Sequence, residues 1–224
     1  MEIGVNTGDG RLRVVAVDGP SAAGKTTAST AIAQELGLAY LESGTSYRLL
    51  AYRALADHVS AADTGRIVDL ADEIFSDTTI LTSAHIDPKY LRAPEVSRFV
   101  ASVAKVPDVR EKLTSMMRIW ASTSGRCIIE GRDIGTAVFP AAEVKFYLDA
   151  SPEVRAKRRQ IDEGRSYEVV LQDVVRRDHE DSSREHSPLR PAMDATIIDT
   201  SELSIHQVQA RMLPECVQLM ERRA

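Results

Sequence analysis

One short stretch constrains this chain more than any other: Val-Val-Ala-Val-Asp-Gly-Pro-Ser-Ala-Ala-Gly-Lys-Thr-Thr at residues 14–27. Val14, Val15, Ala16 and Val17 form an apolar run of the kind that reads as a buried parallel strand. Gly19 to Thr26 then fit G-x-x-x-x-G-K-[ST], the spacing of a phosphate-binding loop. Residues 28–36 read as a helix stopped by Gly37. The residue types follow from the task of holding phosphates. Gly19 and Gly24 allow tight backbone curvature, and the start of the helix offers unpaired N–H groups and a positive dipole end. Lys25 supplies a mobile positive charge for the outer phosphates, and Thr26 a hydroxyl for the Mg²⁺ that accompanies ATP. The candidate ATP site is therefore Gly19, Pro20, Ser21, Ala22, Ala23, Gly24, Lys25, Thr26 and Thr27. The competing reading is an ordinary glycine-rich turn. The order strand, loop, helix is what the motif requires and argues against it.

Composition narrows the partners. A formal net charge of −5 gives no electrostatic footprint for general nucleic-acid binding. The two cysteines, Cys127 and Cys216, have neither a disulfide framework nor metal-ligand spacing, which favours a reduced, cytoplasmic setting. No signal-like segment opens the chain, and no apolar run is long enough to span a membrane. Residues 1–10 read as a loose tail.

Strands alternate with helices from there on. Strands are expected at residues 11–17, 38–41, 126–130, 144–149 and 194–199. That pattern is α/β, a doubly wound parallel sheet of about five strands. Ser43 suits the N-cap of a helix running to about Ala56. Residues 61–80 mix a polar helical pattern with a Thr-rich run, and His85 to Pro88 reads as a turn. Residues 96–104 read as helical, as do residues 107–123, with Val109, Leu113, Met116, Met117 and Trp120 on one apolar stripe. Arg110 near the start of that helix is disfavoured by the dipole, so an anion or another ligand group would compensate it. Gly131-Arg132-Asp133-Ile134-Gly135-Thr136 brackets an Arg-Asp pair with glycines at a strand's C-terminal end, where open α/β sheets bind ligands. Ser151 and Pro152 begin a helix that carries Arg155, Arg158 and Arg159. Residues 164–187 are densely charged, which by itself fits a solvated helix face. The closing helix runs from Ser204 to about Arg222, with Pro214 expected to kink or interrupt it.

Five blocks in this order resemble the bacterial cytidylate (CMP/dCMP) kinases, from about Val14 to Val208. They are Gly-Pro-Ser-Ala-Ala-Gly-Lys-Thr-Thr at 19–27, Ser-Gly-x-x-Tyr-Arg at 43–48, Val-Pro-Asp-Val-Arg at 106–110, Glu-Gly-Arg-Asp-Ile-Gly-Thr at 130–136 and Arg-Arg-Asp-His-Glu-Asp-Ser-Ser-Arg at 176–184. The chain departs from the family pattern at Glu42, Ser46 and Met117, where Asp, Met and Gln are usual. The resemblance implies a single P-loop kinase domain over 1–224, with a nucleotide-binding insertion near 63–105 and a lid at 160–187. It implies that Arg48 and Arg132 hold the phosphate of CMP with Tyr47 nearby. Ser43, Arg110, Asp133 and Arg184 would line the cytosine pocket, and Ser102, Arg177 and Asp181 would approach the ribose. Arg155, Arg158 and Arg159 would reach over the transferring phosphoryl group, so that Lys25, Arg132, Arg155 and Arg158 are the catalytic set and Arg159 joins the ATP site.

The activity so implied is phosphorylation of CMP and dCMP by ATP with Mg²⁺ bound through Thr26, by a monomer with no nucleic-acid or membrane partner. Two alternatives stand beside it. One is another small-molecule P-loop kinase, of adenylate- or shikimate-kinase type. The other is an ATP-binding pseudo-enzyme or sensor. A GTPase switch would need an Asn-Lys-x-Asp motif, and the chain's only asparagine is Asn6.

Overall fold

The run from Arg13 to Asp18 is buried along its whole length because it forms the central strand, β1, of a five-stranded sheet. The computed structural model describes residues 12–83 and 86–222. The tail expected over 1–10, the first residue of the expected first strand (Arg11) and His85 of the expected turn lie outside the described residues. The other strands are β2 (Ala39–Glu42), β3 (Arg126–Gly131), β4 (Val144–Asp149) and β5 (Thr196–Asp199), in the order β2-β3-β1-β4-β5. β1 pairs parallel with β3 and with β4, and β4 pairs parallel with β5. Parallel strands need crossovers, and helices provide them. In chain order these are α1 (Lys25–Leu36), α2 (Ser43–Ala56), α3 (Thr64–Ile74), α4 (Ile80–Ser83), α5 (Pro88–Leu91), α6 (Pro94–Val103), α7 (Pro107–Ser124), α8 (Pro152–Glu163), α9 (Tyr167–Ser182) and α10 (Ile205–Glu221). A single π-helical turn, Ile134–Val138, follows β3.

The chain forms two compact units, Met1–Tyr40 with Ser124–Ala224, and Leu41–Thr123. In the first, α1 and α10 cover one face of the sheet. Val15, Val17, Ile128, Phe146 and Leu148 pack there with Ile32, Met212, Cys216 and Leu219. A small separate core of Ala156, Val170 and Val174 joins α8 to α9. In the second unit α2 packs on α3 and α6, with Leu50, Ile67, Leu70 and Val100 buried.

Most local expectations match the chain's behaviour. Ser151 accepts from the Val154 N–H with Pro152 in the first turn of α8, and Ser204 and Gln207 form a capping box on α10. Val109, Leu113, Met116 and Met117 are buried and Trp120 is half-buried. Two expectations need correction. Ser43 is the first residue of α2, and its N-cap is Glu42, whose backbone is extended and whose side chain makes no capping bond. α10 is not interrupted at Pro214, the stronger of the two outcomes expected there. Val208, Met212, Cys216 and Leu219 anchor the helix to the core on both sides of the proline, so packing outweighs the one lost backbone hydrogen bond.

Candidate active site

The loop between β1 and α1 has the backbone its sequence demands. Gly19 has φ 144°, and a Cβ there would lie 2.0 Å from the Leu148 carbonyl oxygen. Gly24 caps α1 in the left-handed region at φ 91°. Ala22 is left-handed as well, at φ 63°, although it has a Cβ. Such strain is held only where surrounding bonds over-determine the backbone. Here they do. Lys25 Nζ donates to the Pro20 carbonyl at 2.8 Å, Arg155 Nη1 to that of Ser21 at 3.5 Å, Arg158 Nη1 to that of Ala22 at 3.2 Å, and the Thr200 hydroxyl to that of Ala23 at 3.0 Å. The Gly24 carbonyl accepts from the Ala28 N–H at 3.1 Å. Five successive carbonyls, each of which would repel a phosphate, are thus committed to protein donors.

The arginines of α8 therefore divide. Arg155 is buried, grips both oxygens of Asp178 and donates Nε to the Ala150 carbonyl. Arg158 also donates to the Thr200 carbonyl at 2.6 Å and to its hydroxyl at 3.1 Å. Burial, and next the charge of Arg155, pull the Arg158 guanidinium below its usual pKa. Both brace the phosphate loop from behind. Arg159 instead pairs with Glu163, one turn along its own helix.

Thr26, on the first turn of α1, donates its hydroxyl to Glu130 Oε1 at 2.6 Å, and the Tyr40 phenol donates to the same oxygen at 2.8 Å. Glu130 is buried at the end of β3, and its second oxygen has no hydrogen-bond partner among the described residues. A hydroxyl and a carboxylate oxygen side by side, with one buried oxygen left over, form a donor set that suits Mg²⁺. Sequence reasoning quoted Glu130 within a motif but gave it no role. The available signal was an acidic residue closing an apolar strand, as Asp18 does in β1.

Beyond β3 the chain places Arg132 and Asp133. Arg132 Nε pairs with Asp181 at 3.1 Å, and Asp133 is buried. Asp181, on α9, gathers three guanidinium groups: Arg132, Arg177 at 3.8 Å and Arg184. Burial alone would raise the Asp181 pKa, but the charges of Arg132, Arg177 and Arg184 outweigh it and hold the carboxyl below its ordinary value. Three cations around one carboxylate leave a net positive cluster able to receive an anion.

In the second unit Ser43 and Tyr47 are buried on α2. Arg48 Nη1 donates to the Leu91 carbonyl at 3.1 Å and to Ser97 Oγ at 3.0 Å. Arg110 lies over the Tyr47 ring, 5.7 Å from its centroid, and donates to the Ala104 carbonyl. Ser102 lines a cavity of about 530 Å³ with Thr64, Asp69, Lys105 and Asp108. Arg110 and Tyr47 are thus brought together.

Comparison with known proteins points to one family. The family described as Cytidylate kinase matches residues 15–218. A relative named Cytidylate kinase from Rhodococcus jostii is 44% identical over 212 residues, covering 89% of this chain and 93% of that one. Another of the same name from Corynebacterium glutamicum is 41% identical over 208 residues, covering 87% and 90%. Among solved structures, an uncharacterized protein from Eubacterium ventriosum shares the fold at TM-score 0.55 with 11% identity, over 94% of this chain and 99% of that one. With its phosphate loop, its five-stranded sheet and this match along most of its length, the chain belongs to the cytidylate kinase family.

Proposed function

We propose that this enzyme transfers the γ-phosphoryl group of ATP to CMP or dCMP, giving ADP and CDP or dCDP. The observation that carries this is the Arg132-Asp133 pair one residue beyond Gly131, which lies in register with Asp18 just before the phosphate loop. A guanidinium for a phosphate and a buried carboxylate for an exocyclic amine stand on adjacent residues. Family membership supplies the acceptor class.

Phosphoryl transfer asks little covalent chemistry of the protein. It requires donor and acceptor in line, water excluded, and positive charge around the transferring oxygens. The residues 19–27 hold the ATP phosphates, with Lys25 following the charge that moves onto the leaving oxygen. A CMP phosphate oxygen attacks the γ-phosphorus as the bond to ADP breaks, and Arg132 and Arg48 orient that phosphate. Thr26 and Glu130 would hold the Mg²⁺, which when bound neutralises phosphate charge. Arg155 and Arg158 act by keeping the loop's carbonyls turned away. Bound CMP would take its base contacts from Ser43, Arg110, Asp133 and Arg184 and its ribose contacts from Ser102, Arg177 and Asp181. Residues 63–105 serve as the acceptor-binding insertion, and residues 160–187 as the lid that excludes water. The test is ADP release measured with and without CMP. CMP-dependent release with matching CDP supports the proposal, whereas ATP hydrolysis indifferent to CMP contradicts it.

A further inference from the structure

Asp18 is the one buried carboxylate of the site to which this mechanism gives no task. It closes β1, immediately before Gly19, and is 3% exposed. Its two oxygens accept from two consecutive backbone N–H groups, Ile134 to Oδ1 at 2.8 Å and Gly135 to Oδ2 at 2.7 Å. Those amides open the π-helical turn directly after Arg132 and Asp133. The turn is tightly seated. A Cβ added at Gly135 would lie 3.4 Å from Asp18 Oδ2 and 3.2 Å from the Lys145 side chain. One carboxylate therefore ties the root of the ATP loop to the segment carrying the acceptor residues.

We infer that Asp18 is a positioning residue for the acceptor: its carboxylate clamps the Ile134 and Gly135 amides and so fixes where Arg132 and Asp133 stand relative to the phosphate loop. This rests on the reading of Arg132 and Asp133 as the CMP-binding pair. A carboxylate suits the task because it accepts two hydrogen bonds at once and donates none, whereas an amide or a protonated acid presents a hydrogen to one of the two N–H groups. The charged and titratable groups facing it include Lys25 from α1, Asp133 from the clamped segment, and Tyr147 and Lys145 from β4, the Lys145 ammonium being turned to the Pro140 carbonyl and Asp194. Burial raises the Asp18 pKa to about 6, against the two amides and Lys25, which lower it, while Asp133 adds to the rise. The clamp is then charged at neutral pH and loosens in mild acid.

The test uses the full chain, first without nucleotide. Backbone ¹H–¹⁵N signals of Ile134 and Gly135 should titrate together between about pH 4 and 8, with a midpoint of about 6, and the same signals in Asp18→Asn should not follow that curve. Hydrogen exchange at these two amides should quicken roughly tenfold or more in Asp18→Asn, while Val15 and Ile128 keep their protection. In turnover, KM for CMP should rise roughly tenfold with KM for ATP changed less than about twofold. Amides that keep their protection in the variant overturn the clamp. An equal rise in both KM values overturns its acceptor-specific role. A protein that does not use CMP at all would defeat the proposed function while the exchange still judged the clamp. Substrate-free signals are essential because the phosphate of CMP itself titrates near pH 6.

Discussion

Thr26 and Glu130, 104 positions apart in sequence, meet through a 2.6 Å hydrogen bond at the mouth of the phosphate loop. Parallel pairing of β1 and β3 puts Val17 opposite Glu130, so the acid one residue before the end of β3 lies beside the helix that begins after β1. Replacing Glu130 by Gln keeps the shape and removes the charge. The expected result is a loss on the order of 10- to 100-fold in activity or apparent Mg²⁺ affinity, with KM for CMP little changed. Initial rates across a Mg²⁺ titration check it.

Asp133 should set the choice of base. Cytosine offers an amine donor where uracil offers a carbonyl, and an ionised carboxylate only accepts. An unpaired buried polar group costs roughly 1–3 kcal/mol, so CMP should exceed UMP on the order of 10²- to 10⁴-fold in kcat/KM if two groups mismatch. Asp133→Asn should lower CMP use and narrow that gap. Both acceptors are measured in both proteins. An unchanged ratio would assign Asp133 to holding a neighbouring arginine.

Asp181 should govern stability through its three arginines. Its folded pKa is depressed, so its contribution is fully present above the unfolded carboxyl value of about 3.9 and is lost as pH falls through the lower folded value. At pH 7, Asp181→Asn removes the one buried carboxylate charge that Arg132, Arg177 and Arg184 share and should destabilise by roughly 3 kcal/mol. Denaturant unfolding should show wild type and variant converging below about pH 4. Added sulfate should restore part of the loss at pH 7, since an anion can replace the carboxylate.

Much of the site could be read from residues alone because the phosphate loop is a local object. Gly19 and Gly24 stand where positive φ is required, and spacing along the chain is enough to find them. The same holds for Ser151 and Ser204, whose capping partners lie within one turn. What sequence missed depends on contacts between distant segments. The bracing of the phosphate loop is one such feature: Arg155 and Arg158 donate to the Ser21 and Ala22 carbonyls, more than 130 positions away. Asp18 and Glu130 carry no signal beyond ending their strands until strand order puts β3 beside β1. Residues 61–95 resisted reading for another reason. α4 and α5 have four residues each, too few to show a period.

Ala22 marks a stored strain. A residue with a Cβ in the left-handed region costs roughly 1–2 kcal/mol, and glycine there would give back about 0.5–1 kcal/mol as extra chain entropy on unfolding. Ala22→Gly should stabilise the protein by about 0.5–1 kcal/mol, a rise of about 1–4 °C in Tm at this size. Thermal unfolding checks it, and no rise would mean that the loop's braces leave Ala22 unstrained.

The central claim is that a cytosine nucleotide accepts the phosphoryl group. It is tested most directly by giving the protein ATP, Mg²⁺ and an equimolar mixture of CMP, UMP and AMP, and following the products by ³¹P NMR and chromatography. The account predicts CDP as the dominant new diphosphate, formed one for one with the ADP derived from ATP. UDP in equal amount, or ADP accompanied only by inorganic phosphate, would contradict it.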